Sequence, residues 1–285
     1  VTDGSIRVER LAKRYKGGVQ ALKDLNFRVG EGEIFGFLGP NGAGKSTAVK
    51  ILTTLSLPTE GRAWVGGADV VDEPEVVRRI SGVALQEVGL DPLMRAPELL
   101  ELQARLFGAD TNGAKARASK LIELVGLEDA ADRRVSTFSG GMRRRLDLAM
   151  ALVHEPQILF LDEPTTGLDP ASRRSIWAEV RRLNSQLGMT IFLTTQYLEE
   201  ADELADTVAI LTDGAIAVQG APAKLKASLG GESVNVRHGW QPTGGQGHPS
   251  FIYGGRRCCS AGRSQPTANG RIKAAVSDDF SADTG

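Results

Sequence analysis

A chain of 285 residues, 41% hydrophobic and 24% charged, is ordinary for a soluble globular protein of one large domain or two small ones. A net charge of −1 supplies no global basic field for nucleic acid or anionic lipid, so no nucleic-acid partner is expected. The two cysteines, Cys258 and Cys259, are adjacent, which suits neither a disulfide framework nor a zinc spacing and points to a reducing, cytosolic compartment; no apolar run approaches the ~18 residues of a membrane span, so work at a membrane would go through a partner.

Residues 5–11 and 21–29 alternate apolar and polar positions and are expected to be half-buried strands, joined by a loop holding Tyr15. Residues 33–38 (E-I-F-G-F-L) form a third, more apolar strand. It runs into Gly39-Pro40-Asn41-Gly42-Ala43-Gly44-Lys45-Ser46-Thr47, which fits G-x-x-x-x-G-K-[ST], and residues 47–55 have helix-compatible composition. The glycines let the backbone close around phosphates, and the following helix aims its positive end at the same point. Lys45 would reach the β- and γ-phosphates, and the Ser46 hydroxyl would ligate Mg²⁺. A turn at 58–61 and a strand at 62–65 complete a β-rich first part whose one expected helix follows the phosphate loop.

From about residue 92 to 155 the pattern becomes helical. Leu99, Leu102 and Leu106 recur at i, i+3 and i+7; residues 115–125 form a second helix closed by Gly126; residues 142–153 form a third, with Met142, Leu146, Met150 and Val153 as a core stripe. Arg143, Arg144 and Arg145 are expected on a solvated face. Residues 157–161 (Q-I-L-F-L) read as a buried strand ending at Asp162-Glu163. A strand delivering a carboxylate to its carboxyl end suits a ligand site in an open α/β sheet: Asp162 would hold Mg²⁺ through water, and Glu163 is the candidate general base. A helix (172–186), a strand (189–195), a short helix (198–205) and a hairpin around Asp213-Gly214 follow. Alternating strands and helices imply a largely parallel sheet. Beyond about residue 236 periodicity is lost, and 236–285 is expected to be disordered or an aberrant terminus such as a reading-frame shift would produce.

Phe138-Ser139-Gly140-Gly141-Met142 places two glycines before a helix, a second anion-binding turn that one phosphate loop leaves without a purpose in the same chain. With these residues in place, the chain resembles the ATP-binding subunits of ABC transporters over about residues 5–235. Ser139-Gly140-Gly141 is similar to their signature, with Phe138 and Met142 at the usual Leu and Gln. The resemblance implies an α/β P-loop cassette with a mixed sheet core, an N-terminal antiparallel β part and an inserted helical subdomain. The core would be 1–89 and 156–235, the helical subdomain 90–155. It also implies that two copies meet head to tail, so that Ser139, Gly140 and Gly141 contact the partner's ATP, Asp169 links the sites, Gln86 touches Mg²⁺ and water, and Tyr15 stacks on adenine. At the switch position, usually His, stands Gln196 in T-T-Q-Y-L-E-E-A-D; it hydrogen-bonds but carries no proton charge near neutral pH, so hydrolysis is expected to be retained but slow.

That segment resembles the drug-resistance branch typified by daunorubicin and doxorubicin export. The implied function is ATP hydrolysis powering a separate integral membrane permease, at the cytoplasmic face of the membrane. The alternatives are a non-transport ABC ATPase of translation or DNA repair, against which stand the single phosphate loop and the lack of heptads, or an ATP-gated binding module, against which stands Glu163.

Overall fold

β1 (Ile6–Arg14) and β2 (Gln20–Val29) pair antiparallel, and their alternation buries Ile6, Val8 and Leu11 against Leu22, Leu25 and Phe27. The chain then enters β3 (Ile34–Leu38), buried along its whole length, and α1 (Lys45–Leu52). β4 (Glu60–Val65) and β5 (Ala68–Asp69) complete a four-stranded antiparallel sheet in the order β2-β1-β4-β5. The computed structural model describes residues 5–86, 89–228, 252–253 and 256–257.

α2 (Pro74–Ile80) and β6 (Ser81–Ala84) follow, so the first part holds a second helix beyond the one expected. Pro74 sits in the first turn, where its missing N–H has no helical partner to lose. With Val77 its one buried residue, α2 carries too little apolar periodicity to be conspicuous. The helical stretch comprises α3 (Ala96–Leu106), α4 (Thr111–Leu124) and α5 (Gly140–Ala151). In α3 the expected leucine stripe does not form the buried face: Ala96, Leu99, Leu100 and Ala104 are buried, whereas Leu102 and Leu106 are 48% and 73% exposed. The periodicity was that of a helix, but the face turned to the core is displaced by about one residue, with Leu99 at its border.

β7 (Ile158–Asp162), α6 (Pro170–Leu187), β8 (Thr190–Thr195), α7 (Leu198–Leu204), β9 (Thr207–Thr212), β10 (Ala215–Gly220) and α8 (Pro222–Ser228) close the sequence of elements. The second sheet has the order β10-β9-β3-β8-β7-β6, parallel from β9 to β6, with β10 antiparallel at the edge. The β9–β10 turn uses Asp213 and Gly214, both with positive φ, the geometry that matches strand twist in a tight hairpin. Phe27 of the antiparallel sheet stacks on Phe35 at 5.4 Å, and Phe35 on Phe192 at 5.6 Å, so aromatic rings join the two sheets. The helices α3 to α6 bury their apolar faces in a separate cluster with Leu159, Leu161, Ile191 and Leu193. The result is the expected α/β architecture: mixed sheet, antiparallel N-terminal part, helical insertion.

The chain divides by contacts into Val1–Glu232, described above, and Ser233–Gly285. In the latter the described residues are the antiparallel pair β11 (Ile252–Tyr253) and β12 (Arg256–Arg257). The expectation of a disordered or aberrant 236–285 otherwise lies outside the described residues.

Candidate active site

The phosphate loop leaves the carboxyl end of β3 and is built around close backbone approach. A Cβ on Gly39 would lie 2.5 Å from the Leu211 carbonyl oxygen, and one on Gly44 would lie 2.4 Å from that of Ala21, with φ at +107°. Only glycine fits both constraints at Gly44. Ala43 is buried, and its carbonyl accepts the Gly214 N–H, tying the loop to the β9–β10 turn. α1 then starts at Lys45 with no side-chain cap and no acidic residue in its first turn. Its N–H groups and positive dipole end are therefore available to an anion.

The Lys45 ammonium donates to the Gly39 and Pro40 carbonyls at 2.8 and 3.1 Å and pairs with Glu163 Oε1 at 3.0 Å. Both side chains are buried, so each charge relies on the other. Glu163 follows β7 with φ at +49°, an uncommon conformation for a non-glycine residue. Its N–H donates to the Thr194 carbonyl at 3.1 Å and to the Thr194 hydroxyl at 3.0 Å, and its Oε2 accepts from the Thr166 hydroxyl at 3.1 Å. Thr194 is the register partner of Asp162 across β7 and β8, and its hydroxyl donates to Asp162 Oδ1 at 2.5 Å. Thr194 holds the Asp162 carboxylate and the Glu163 backbone, yet sequence reasoning passed over it. Its one local signal was a polar pair, Thr194-Thr195, ending an otherwise apolar strand.

A cleft of about 330 Å³ brings together Asn41, Gly42, Gly44, Lys45, Ser46 and Thr47 of the loop with Gln86 and Glu163. Asp162 lies buried behind Glu163. Tyr15 follows β1 at the rim, its hydroxyl 3.4 Å from that of Thr47 and its ring 5.2 Å from the Lys13 ammonium.

Ser139, Gly140, Gly141, Asp169 and Gln196 do not line this cleft. The Ser139 hydroxyl caps α5 by accepting the Met142 N–H. A Cβ on Gly140 would lie 3.3 Å from Leu168, and one on Gly141 3.1 Å from the Ser172 hydroxyl. Asp169 caps α6, accepting from the N–H groups of Ala171 and Ser172 and from the Ser172 hydroxyl, and the Ser172 contacts hold its carboxyl below the usual range. The signature turn and the Asp169 turn therefore form one cluster of their own. Gln196 follows β8, half-buried, next to Tyr197, whose ring lies 4.3 Å from the Arg173 guanidinium.

The run Arg143 to Arg145 is a solvated face only in part: Arg143 is exposed and Arg145 half-buried. Arg144 is buried and donates to the Leu85 and Asp162 carbonyls and to Asp147, joining the signature helix to the segments on either side of the cleft. Arg145 donates to the Val125 and Gly126 carbonyls at the end of α4, and Arg143 to that of Ser136. Carbonyls left open at helix ends and loops supplied partners that a charge pattern does not reveal. Burial lowers the pKa of Arg144 and pushes the Asp147 carboxyl up to about 6.

Residues 22–166 match the family described as ABC transporter. The chain is 47% identical over 236 residues to the daunorubicin resistance ATP-binding protein DrrA3 of Streptomyces coeruleorubidus, across 83% of this chain and 74% of that protein. It is 48% identical to the doxorubicin resistance ATP-binding protein DrrA of Mycobacterium tuberculosis, across 80% of this chain and 69% of that protein. Among solved structures, a dimeric ATP-binding cassette in a post-hydrolysis state bound to ADP and Pi is 29% identical with a TM-score of 0.70, across 76% of this chain and 98% of that one.

Proposed function

Because the chain belongs to the ABC transporter family, as an ATP-binding subunit that hydrolyses ATP, we propose that it is the motor of a drug or antibiotic exporter. In this reading residues 1–235 form the cassette, which drives a separate integral permease from the cytoplasmic face of the membrane. The observation that carries it is the pairing of Lys45 with Glu163 at the mouth of the glycine loop, in a chain whose relatives are named for daunorubicin and doxorubicin resistance.

The loop from Gly39 to Thr47 holds the phosphates with backbone N–H groups and the α1 terminus, and Lys45 neutralises their charge. The three ammonium protons of Lys45 are already directed at Gly39, Pro40 and Glu163. Phosphate oxygens therefore compete with Glu163 for Lys45, and their arrival releases the carboxylate to take the proton of the attacking water. Tyr15 stacks on the adenine.

Ser46, Gln86 and Asp162 offer hydroxyl, amide and carboxylate oxygens, the hard donors that suit Mg²⁺. Asp162 Oδ1 is held by Thr194, and its second oxygen is left for water or cation. Among the described residues no cluster of three His, Cys, Asp or Glu could hold a metal by itself, which fits a cation shared with substrate phosphate. When bound, Mg²⁺ offsets charge on the phosphate oxygens.

The position of Ser139, Gly140 and Gly141 outside the cleft supports a head-to-tail dimer, in which this turn completes the partner's site and Asp169 links the two. No described helix is long and apolar enough to cross a membrane. A groove of about 310 Å³ between the helical insertion and the β core, lined by Leu55, Leu85 and Phe107, supports docking of the permease. Leu55 and Phe107 are exposed, as are Leu102 and Leu106 on α3, a surface suited to a partner. Leu85 directly precedes Gln86, so an occupant of the groove would act on the cleft.

Glu163→Gln should bind ATP, hold the dimer together and hydrolyse poorly; normal turnover in that variant removes Glu163 from the role of base. Cells carrying this chain with its permease should accumulate less daunorubicin than cells carrying the Lys45→Ala variant. Equal accumulation would contradict the export reading.

A further inference from the structure

Glu200 is a fully buried carboxyl on α7 that the steps above leave without a task. Its Oε1 accepts two hydrogen bonds, from the Thr165 hydroxyl and the Trp177 indole N–H, both at 2.9 Å. Oε2 has no partner at hydrogen-bond geometry among the described residues. Burial raises the carboxyl pKa, against the lowering pull of the hydrogen-bonding Thr195, Trp177 and Thr165 side chains and of the Arg173 charge. An acid here is unfavourable compared with an apolar residue of similar volume. What it supplies in exchange is direction: hydrogen bonds fix orientation where apolar contacts would let elements slide.

The two donors come from elements that matter for hydrolysis. Thr165 lies in the loop running from Glu163 to Asp169, and Trp177 lies in α6, which Asp169 caps. The two neighbouring threonines of the loop point opposite ways. Thr165 turns inward to Glu200, and Thr166 turns its hydroxyl to Glu163 Oε2. The Thr166 N–H also donates to the Glu163 carbonyl, and the Leu168 N–H to that of Thr165. Holding Thr165 therefore sets Thr166, and Thr166 aims the Glu163 carboxylate. Glu200 itself sits in the first turn of α7, the helix that follows Gln196.

We propose that Glu200 is a positioning residue for hydrolysis: through Thr165 and Trp177 it fixes the loop that aims Glu163 and joins that loop to the segment carrying Gln196. This rests on the reading of Glu163 as the base. The hub joins three stretches of chain, so a shift of α7 is carried to Glu163 without passing through the nucleotide.

The test uses the full chain, steady-state ATP hydrolysis, equilibrium binding of a fluorescent ATP analogue and thermal melting. Glu200→Leu removes the acceptor and is expected to lower kcat by about tenfold to a hundredfold, the range for a displaced catalytic group, with analogue affinity within about twofold. In Glu200→Gln the amide oxygen still accepts from both donors, and kcat should stay within about threefold of the parent. Glu200→Leu strands two buried donors, so the combined variant Thr165→Val, Trp177→Phe, Glu200→Leu removes donors and acceptor together, which preserves folding far better. It should melt near the parent, bind the analogue and show the same loss of kcat. A folded Leu or combined variant that hydrolyses at the parental rate overturns the proposal, as does a Gln variant as slow as the Leu variant. If neither Leu-containing variant folds, Thr165→Val alone decides, by a fall in kcat at unchanged affinity or by none. Glu163→Gln run in parallel separates the two readings: if it hydrolyses normally, the base assignment fails first; if it is inactive while the Glu200 variants are not, only the present inference fails.

Discussion

Replacing Thr194 by Val deletes one hydroxyl between the Asp162 carboxylate and the Glu163 backbone and changes almost no volume. The hydroxyl donates to Asp162 Oδ1 at 2.5 Å and accepts the Glu163 N–H at 3.0 Å. The Glu163 N–H keeps the Thr194 carbonyl at 3.1 Å, so Asp162 bears most of the loss. The residue is fully buried, and water cannot take the place of the hydroxyl. A hydrogen bond to a charged group is worth about 1.5–3 kcal/mol, and an orphaned buried acceptor costs its desolvation in full. The expected destabilisation is therefore about 2–3 kcal/mol, or roughly 4–12 °C in melting temperature for a unit of this size. Thermal melting followed by circular dichroism reads it, with Thr194→Ser as the control that retains the hydroxyl and should melt near the parent. ATP hydrolysis should fall in Thr194→Val, because both Asp162 and Glu163 lose an orienting contact. A Val variant that melts and hydrolyses like the parent would refute the role of Thr194 in holding the Asp162 carboxylate and the Glu163 backbone.

Gly44→Ala must place a Cβ 2.4 Å from the Ala21 carbonyl oxygen at a φ of +107°. Gly42→Ala carries the same kind of backbone strain, about 1–3 kcal/mol at its φ of +80°, but its Cβ meets open space, so Gly44→Ala should lose more nucleotide affinity than Gly42→Ala; equal affinities in a binding titration would contradict the close-approach argument. Asp147 gives a pH dependence. Burial lifts its carboxyl to about 6 from an ordinary 3.8, against the pull of Arg144. A raised folded value favours protonation on folding, so the contribution is fully present below the ordinary value and is lost as pH rises through about 6. From pH 7 to pH 5 the parent should gain about 1 kcal/mol relative to Asp147→Asn, and a stability difference that does not move with pH would sink this assignment. Gln196→His introduces a side chain able to carry a proton near neutral pH and is expected to raise the hydrolysis rate; an unchanged rate removes Gln196 from the control of turnover.

The local parts of the site were legible in the sequence because each is contiguous. The glycine loop between strand and helix needs only its own residues to declare itself, and so does the apolar strand that ends at Asp162 and Glu163. Helical periodicity placed α3 to α5, and apolar runs placed β3, β7 and β8. Tertiary structure decided the rest, for reasons of partnership. Periodicity reports that a helix has an apolar side, not which neighbour covers it, and so Leu102 and Leu106 of α3 share the helical spacing of Leu99 yet stay exposed, while Leu100 and Ala104 are buried. A charge run looks solvated throughout, as Arg143 is, but the end of α4 supplies carbonyls to Arg145, and Arg144 is buried beside Asp147. Thr194 meets Asp162 through the register of β7 against β8, and Glu200 meets Thr165 across 35 residues of sequence. Directional contacts between distant segments leave no periodic trace along a chain, because each needs only one donor and one acceptor, and the fold alone brings them within reach.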